Sequence, residues 1–210
     1  MPRRVVNPAS AAGEEVGRLI AEAVERGVEE IVRGKGFIMR SKERLKNRWK
    51  GRHEIDIVIH DAFKGPVILI DVKYLRYKKH CRDKASRTCT AHSSLTETYP
   101  SIRKTVAILA GNWTEPSKEQ LKSYGIEVFH IPFEHIAKVL GEKGVPFEWD
   151  EKDKETPQRA WNALQTLSEE EEKREIGKSI IAPVLGNFRK FIADILDEIL
   201  HRRAGRPGSE

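Results

Sequence analysis

Cysteine is scarce in this sequence, with two in 210 residues, and aromatic side chains make up only 7%. Two thiols cannot build a disulfide framework, so a reducing compartment is the simpler setting. No segment approaches the roughly 18 uninterrupted apolar residues of a membrane helix. The opening "MPRRVVNPASAAGEE" holds two arginines but no apolar run of signal-peptide length, so a cytoplasmic soluble protein is expected. No internal repeat is visible. A strong excess of one charge is also missing: the net charge of +6 arises within 33% charged residues of both signs. That balance permits a polyanionic partner without specifying one.

What is present suits one domain with an appended helical element, since 39% of the residues are hydrophobic. "SAAGEEVGRLIAEAVERGVEEIVRGKG" repeats apolar residues at a helical period and stops at Gly34 and Gly36. "FIMR" reads as a short strand, "RHEIDIVIHD" as a second and "PVILIDVKYL" as a third, the last two joined by a turn at Lys64-Gly65-Pro66. A polar stretch follows, then a helix around residues 93–103 and the buried strand "TVAILAGN". Thr114 can cap "EPSKEQLKSY", Gly125 ends that helix, and "IEVFHI" is a fifth strand. The order α, β, β, β, α, β, α, β predicts an α/β fold with a mixed sheet flanked by helices.

Beyond it, "GEKGVPFEWDEKDKETPQ" reads as a charged linker, and helices are expected to dominate thereafter. Ser168 and Glu171 fit a capping box, and a new helix could begin at Pro183. The last helix carries Val184, Leu185, Phe188, Phe191, Ile192, Ile195, Leu196, Ile199 and Leu200 on a broad apolar face. The chain thus divides into a core at 1–150, a C-terminal helical extension at 151–203 and a disordered tail at 204–210.

Acids interrupt the two most sheet-like segments, at Asp56 and Asp71. Residues two apart share a strand face, so Asp71 and Lys73 point the same way while Val72 faces the core with Ile70 and Ile68. Antiparallel pairing would bring Asp56 opposite Asp71–Lys73. Two carboxylates and the Val72 carbonyl are the oxygen donors Mg²⁺ prefers, and Lys73 would position or deprotonate a water and stabilise phosphoryl charge. The alternative is a solvated, salt-bridged face.

Asp56, Asp71 and Lys73 resemble the acid, acid, lysine motif of the PD-(D/E)xK nuclease superfamily over about Ala11–Ile131, with Ile55 where the motif has proline. The resemblance implies a restriction endonuclease-like fold and Mg²⁺-dependent phosphodiester hydrolysis, with Asp56 and Asp71 as metal ligands. It also implies a first-helix glutamate in the site: helical phasing selects Glu25, bordering the apolar stripe, with Glu15 second.

The stretch "KYLRYKKHCRDKASRTCTAHSSL", an insertion near 74–92, is rich in cations interleaved with Tyr74 and Tyr77. Arg76, Lys78, Lys79, Arg82, Lys84 and Arg87 are the expected contacts to double-stranded DNA. His80, Cys81, Cys89 and His92 are zinc-compatible side chains, but C-x7-C-x2-H lacks close ligand pairs, so free buried thiols and DNA-facing histidines are the simpler reading. Trp113 and Trp161 read as packing residues. The last helix could pair two copies as a homodimer, which would suit a palindromic site. A type II restriction endonuclease with a companion DNA methyltransferase is expected. A structure-selective nuclease resembling Holliday-junction resolvases and a non-catalytic DNA-binding module are the alternatives.

Overall fold

The computed structural model describes residues 7–150, 152–167 and 170–204. The first helix, α1 (Pro8–Val32), begins where Asn7 accepts a hydrogen bond from the Ser10 amide, with proline in its first turn. Gly34 and Gly36 follow it at φ 75° and 73°. β1 (Phe37–Lys46) and β2 (Arg52–Asp61) form a hairpin, and β3 (Gly65–Leu75) pairs antiparallel with β2. The turn, at residues 62–64, falls two residues earlier than expected, because Asp61 accepts from the Phe63 and Lys64 amides and Gly65 already pairs with Asp61. β1 is longer than "FIMR": it is an edge strand whose second half is largely exposed, so hydrophobic patterning is silent there.

After a 3-10 turn at Lys78–His80 come α2 (Cys81–Thr98), β4 (Lys104–Gly111), α3 (Glu115–Ser123) and β5 (Ile126–Pro132). The five strands lie in chain order, β1 to β3 antiparallel and β3 to β5 parallel. The mixed sheet flanked by helices is therefore present. The helix expected at 93–103 begins far earlier, so the basic stretch is largely helical. Thr114 precedes α3 as expected, but its hydroxyl donates to Ser117 Oγ rather than accepting from the backbone.

α4 (Phe133–Glu142), α5 (Glu155–Thr166) and α6 (Glu170–Ala204) complete the chain. α4 has no counterpart in the sequence reading. Pro183 starts no helix; it is an exposed residue inside α6, flanked by Ile180, Ile181 and Phe188, which are buried on the core side. Burial on both sides of the proline holds the helix through the lost hydrogen bond. Ser168 and residues 205–210 lie outside the described residues, as do the capping box and all of the tail except Ala204, which closes α6.

One apolar layer contains α1, α4, α5, α6 and the sheet face of Ile57, Ile59, Ile68, Ile70 and Ile108. Phe188, Ile192, Ile195, Leu196 and Ile199 are buried in it, with Phe191 and Leu200 packed alongside, so the face expected to dimerise is used within the chain. Gly177 permits the close crossing of α6 over α1, because a Cβ there would stand 2.7 Å from the Leu19 carbonyl oxygen. The linker also joins this layer: Val145 and Phe147 are buried, and Arg76 donates to the carbonyls of Phe147 and Trp149 at 2.8 and 3.0 Å. The C-terminal helices are a layer of the same core rather than an appendage to it.

The other sheet face carries two separate apolar clusters. Leu75, Cys81, Ala85, Cys89, Ala107 and Leu109 form one; Leu45, Ile55, Val58, Leu69, Leu95 and Ile102 form the other. α2 contributes to both, and its Thr88 and His92 are buried as well.

Candidate active site

β2 and β3 pair, with a register shift between Ile59 and His60, as far as Ile57 and Ile70, and the site begins where that pairing stops. On the other flank of β2, Ser41 pairs with Ile57 and Glu43 with Ile55, which leaves Lys42, at φ 50°, level with Asp56. A break in strand pairing re-aims side chains. Asp56 turns toward β3, and its Oδ2 accepts from the Val72 amide at 2.7 Å. A residue's N–H and C=O leave an extended strand on the same side, so the Val72 carbonyl faces this gap as well.

Lys73 Nζ lies 2.7 Å from Asp56 Oδ2 and 3.0 Å from Asp71 Oδ1. The expected convergence of two carboxylates and an ammonium is thus present. Burial opposes charge on Asp71, but the hydrogen bond from His92 and the ammonium of Lys73 outweigh it and hold the carboxyl below the ordinary range. Burial, reinforced by the charge of Asp71, pushes Asp56 up against the opposing pull of Lys73 and the Val72 amide. Burial would also lower Lys73, yet the two carboxylates prevail and raise it, so the side chain stays an ammonium.

His92 is the residue that sequence reasoning misplaced. Instead of facing DNA it is 1% exposed, with Nε2 3.2 Å from Asp71 Oδ2 and Nδ1 without a hydrogen-bond partner among the described residues. Its signal was present as a helical period of small or polar residues, since Cys81, Ala85, Thr88, Cys89, His92 and Leu95 are the buried positions of α2. Cys81 and Cys89 are free buried thiols, with Sγ donating to the carbonyls of Asn112 and Gln120, and His80 is exposed. Among the described residues no group of three or more His, Cys, Asp or Glu side chains is placed to hold a metal ion.

Neither candidate glutamate of α1 bonds to the acid pair. Glu25 lies at the β1 side; burial pushes its carboxyl up despite a hydrogen bond with Ser41 and the charge of Lys42. Glu15 pairs with Arg18 at 2.6 Å and faces Lys173 of α6.

Asp71 and Lys73 open onto a cleft of about 570 Å³, lined also by Arg52, Glu54, Lys84 and Arg87. Of the expected DNA contacts, Lys84 and Arg87 are exposed here, Arg87 with Asp83 as its ion-pair partner. Lys78 and Arg82 are exposed elsewhere on the segment, and Lys79 lies 5.3 Å from the Tyr77 ring. Arg76 is a correction: its guanidinium stacks 3.5 Å over the Trp149 ring and is committed to the fold. Trp113 packs in the core as expected, donating to the Lys73 carbonyl at 3.3 Å, and Trp161 packs against the main cluster.

No helix among the described residues is long and apolar enough to cross a membrane. No protein-family model matches the chain, and no curated protein does. Among solved structures, the chain is similar to the crystal structure of a protein of unknown function, AF1548, at 14% identity and a TM-score of 0.38, over 80% of this chain and 99% of that one.

Proposed function

We propose that the chain is a Mg²⁺-dependent endodeoxyribonuclease with a restriction endonuclease-like fold. The observation that carries this reading is the Lys73 ammonium bridging Asp56 and Asp71 at 2.7 and 3.0 Å, beside a cleft that also holds Arg52, Lys84 and Arg87. Cations along a cleft wall suit a phosphodiester backbone. The donor set suits Mg²⁺, because two carboxylates already converge on one cation, and this ion takes one or two carboxylates plus water and phosphate oxygen instead of a full protein cage. Asp56 and Asp71 would hold it, with the Val72 carbonyl beside them. When bound, Mg²⁺ supplies Lewis acidity and a more acidic water.

The protein's own groups divide the remaining work. His92 fixes the orientation of Asp71, and the Val72 amide fixes that of Asp56. Lys73, held as an ammonium, suits stabilisation of negative charge on phosphoryl oxygens better than proton abstraction.

The basic segment and the added helices favour a type II restriction enzyme with a companion methyltransferase. Arg76 and the apolar face of α6 are engaged inside the fold, which leaves fewer groups free to read a sequence or pair two copies. A structure-selective nuclease gains from the exposed Trp49 in the β1–β2 turn, from which β2 runs on to the cleft residues Arg52–Glu54.

The test is cleavage of supercoiled, linear and branched DNA with Mg²⁺ or with chelator. Asp56→Asn, Asp71→Asn and Lys73→Ala should each lose at least about 100-fold in rate while still reaching the folded state, as circular dichroism checks. Activity within tenfold of the unsubstituted chain in either aspartate variant overturns the assignment. Discrete fragments from long duplexes select the restriction reading, and cutting confined to branched DNA selects the other. DNA binding without any cleavage selects the non-catalytic module.

A further inference from the structure

The tip of the β1–β2 hairpin, "KNRWKGR" at residues 46–52, holds four cations, no acid and one tryptophan. Trp49 is 60% exposed, and among the described residues its ring partner is the Arg48 guanidinium, 4.0 Å from the ring centroid. We infer that this tip is a stacking platform for an unpaired base of single-stranded DNA, with the Trp49 indole as the stacking surface. The inference rests on the nuclease reading and deepens it: the substrate class becomes DNA with a single-stranded segment beside the cut.

Nothing in the turn requires an indole. Asn47 Oδ1 accepts from the amides of Trp49 and Gly51 at 3.1 and 2.8 Å, and the Asn47 amide donates to the Gly51 carbonyl at 2.8 Å. Those bonds set the bend through Asn47 and Gly51, with Lys50 at φ 67°, and none involves the ring. An exposed indole in the middle of a run of cations is the combination that single-stranded nucleic acid uses, a ring for the base and charge for the backbone.

The tip is also held in place. The Arg48 amide donates to Thr98 Oγ1 at 3.0 Å, the Arg48 side chain pairs with Glu97 at 2.9 Å, and the Tyr99 hydroxyl donates to the Lys46 carbonyl at 2.9 Å. The platform is thereby fixed to the C-terminal end of α2, the helix that carries His92. From the tip, β2 runs through Arg52, His53 and Glu54, which line the cleft with Asp71 and Lys73. A strand laid on the tip leads into that cleft.

Chemistry selects the occupant. Aromatic stacking beside cations is the sequence-tolerant way to hold single strands, and a paired base already has its faces covered by its neighbours. Lys46, Lys50 and Arg52 supply the charge for the backbone, while Arg48, paired with Glu97, covers one side of the ring and leaves the other for a base. A lipid surface shares the charge requirement, but a single indole on a rigid turn offers little apolar area to bury.

The test measures binding in chelator, where no cleavage intrudes, using a short oligothymidylate and a closed duplex. Trp49→Ala should weaken oligothymidylate binding about tenfold and leave duplex binding within about twofold, while Trp49→Phe restores most of the affinity. Oligothymidylate should quench the fluorescence of the unsubstituted chain and leave that of Trp49→Phe largely unchanged. Equal single-strand affinity in Trp49→Ala and the unsubstituted chain overturns this inference and leaves the nuclease reading standing. Failure of the unsubstituted chain to bind either DNA overturns the nuclease reading itself. Trp49-dependent attachment to phosphatidylserine vesicles without oligonucleotide binding overturns the inference in favour of a lipid surface.

Discussion

His92 Nε2 meets Asp71 Oδ2 at 3.2 Å, across 21 residues of sequence and with both residues buried. His92→Ala leaves a buried carboxylate short of a donor and should cost about 2 kcal/mol of stability. It should also cost 10- to 100-fold in the proposed cleavage, roughly the effect of removing a group that orients a ligand. His92→Gln, whose amide reaches the same oxygen, should recover most of both. Asp71 has a depressed pKa, so its stabilisation is full above the unfolded value near 3.9 and is lost as pH falls below it. The difference in thermal unfolding between His92→Ala and the unsubstituted chain should therefore shrink as pH drops from about 5 toward 2.

Lys73→Met removes the cation between two carboxylates and should destabilise the fold by about 2 kcal/mol near neutral pH. Asp56 is already raised by burial and would rise further, so the deficit should narrow under mild acid as that carboxyl takes up a proton. Added Mg²⁺ should raise the melting temperature of this variant, because it replaces the lost charge. A melting temperature indifferent to Mg²⁺ would count against Asp56 and Asp71 as metal ligands.

Lys84→Ala with Arg87→Ala should weaken DNA binding and flatten its salt dependence by about two units of log–log slope, the loss of two phosphate contacts. Arg76→Ala should leave that slope unchanged. Its effect should instead be local: the segment at 145–149, released from the guanidinium, should exchange its amide hydrogens faster. Binding titrations at several salt concentrations and hydrogen exchange separate the two outcomes.

Gly177→Ala should cost about 1–3 kcal/mol, because the added methyl meets the Leu19 carbonyl oxygen at 2.7 Å and the Ala23 Cβ at 3.1 Å. Chemical denaturation should show one transition of reduced stability. Two separate transitions would mean that α6 is an independent unit.

The strands of the site were legible because apolar runs and their interrupting acids sit within single strands, where period two fixes which side chains share a face. α2 was harder to find: Cys, Ala, Thr and His occupy its buried face, so the helical period is real but barely hydrophobic. α4 repeats Ile136, Ala137, Val139 and Leu140 in a helix of only 10 residues, too brief for its pattern to stand out. Pro183 misled because local preference argues for a helix start while burial on both sides keeps α6 continuous. His92 and Asp71 could not be joined in advance, since their contact depends on how α2 lies across the sheet. Arg76 carried no mark distinguishing a guanidinium bound for DNA from one that stacks on Trp149.

The two faces of β3 answer to different masters. Ile68 and Ile70 lie in the large cluster with α1 and α6, while Asp71 and Lys73 look the other way, under α2. A lineage could therefore redraw the cleft wall at Lys84, Ser86, Arg87 or Thr90, changing what is admitted, without disturbing the apolar interior that keeps the strand straight. Innovation on one side of a single strand is insulated from the durability built into the other.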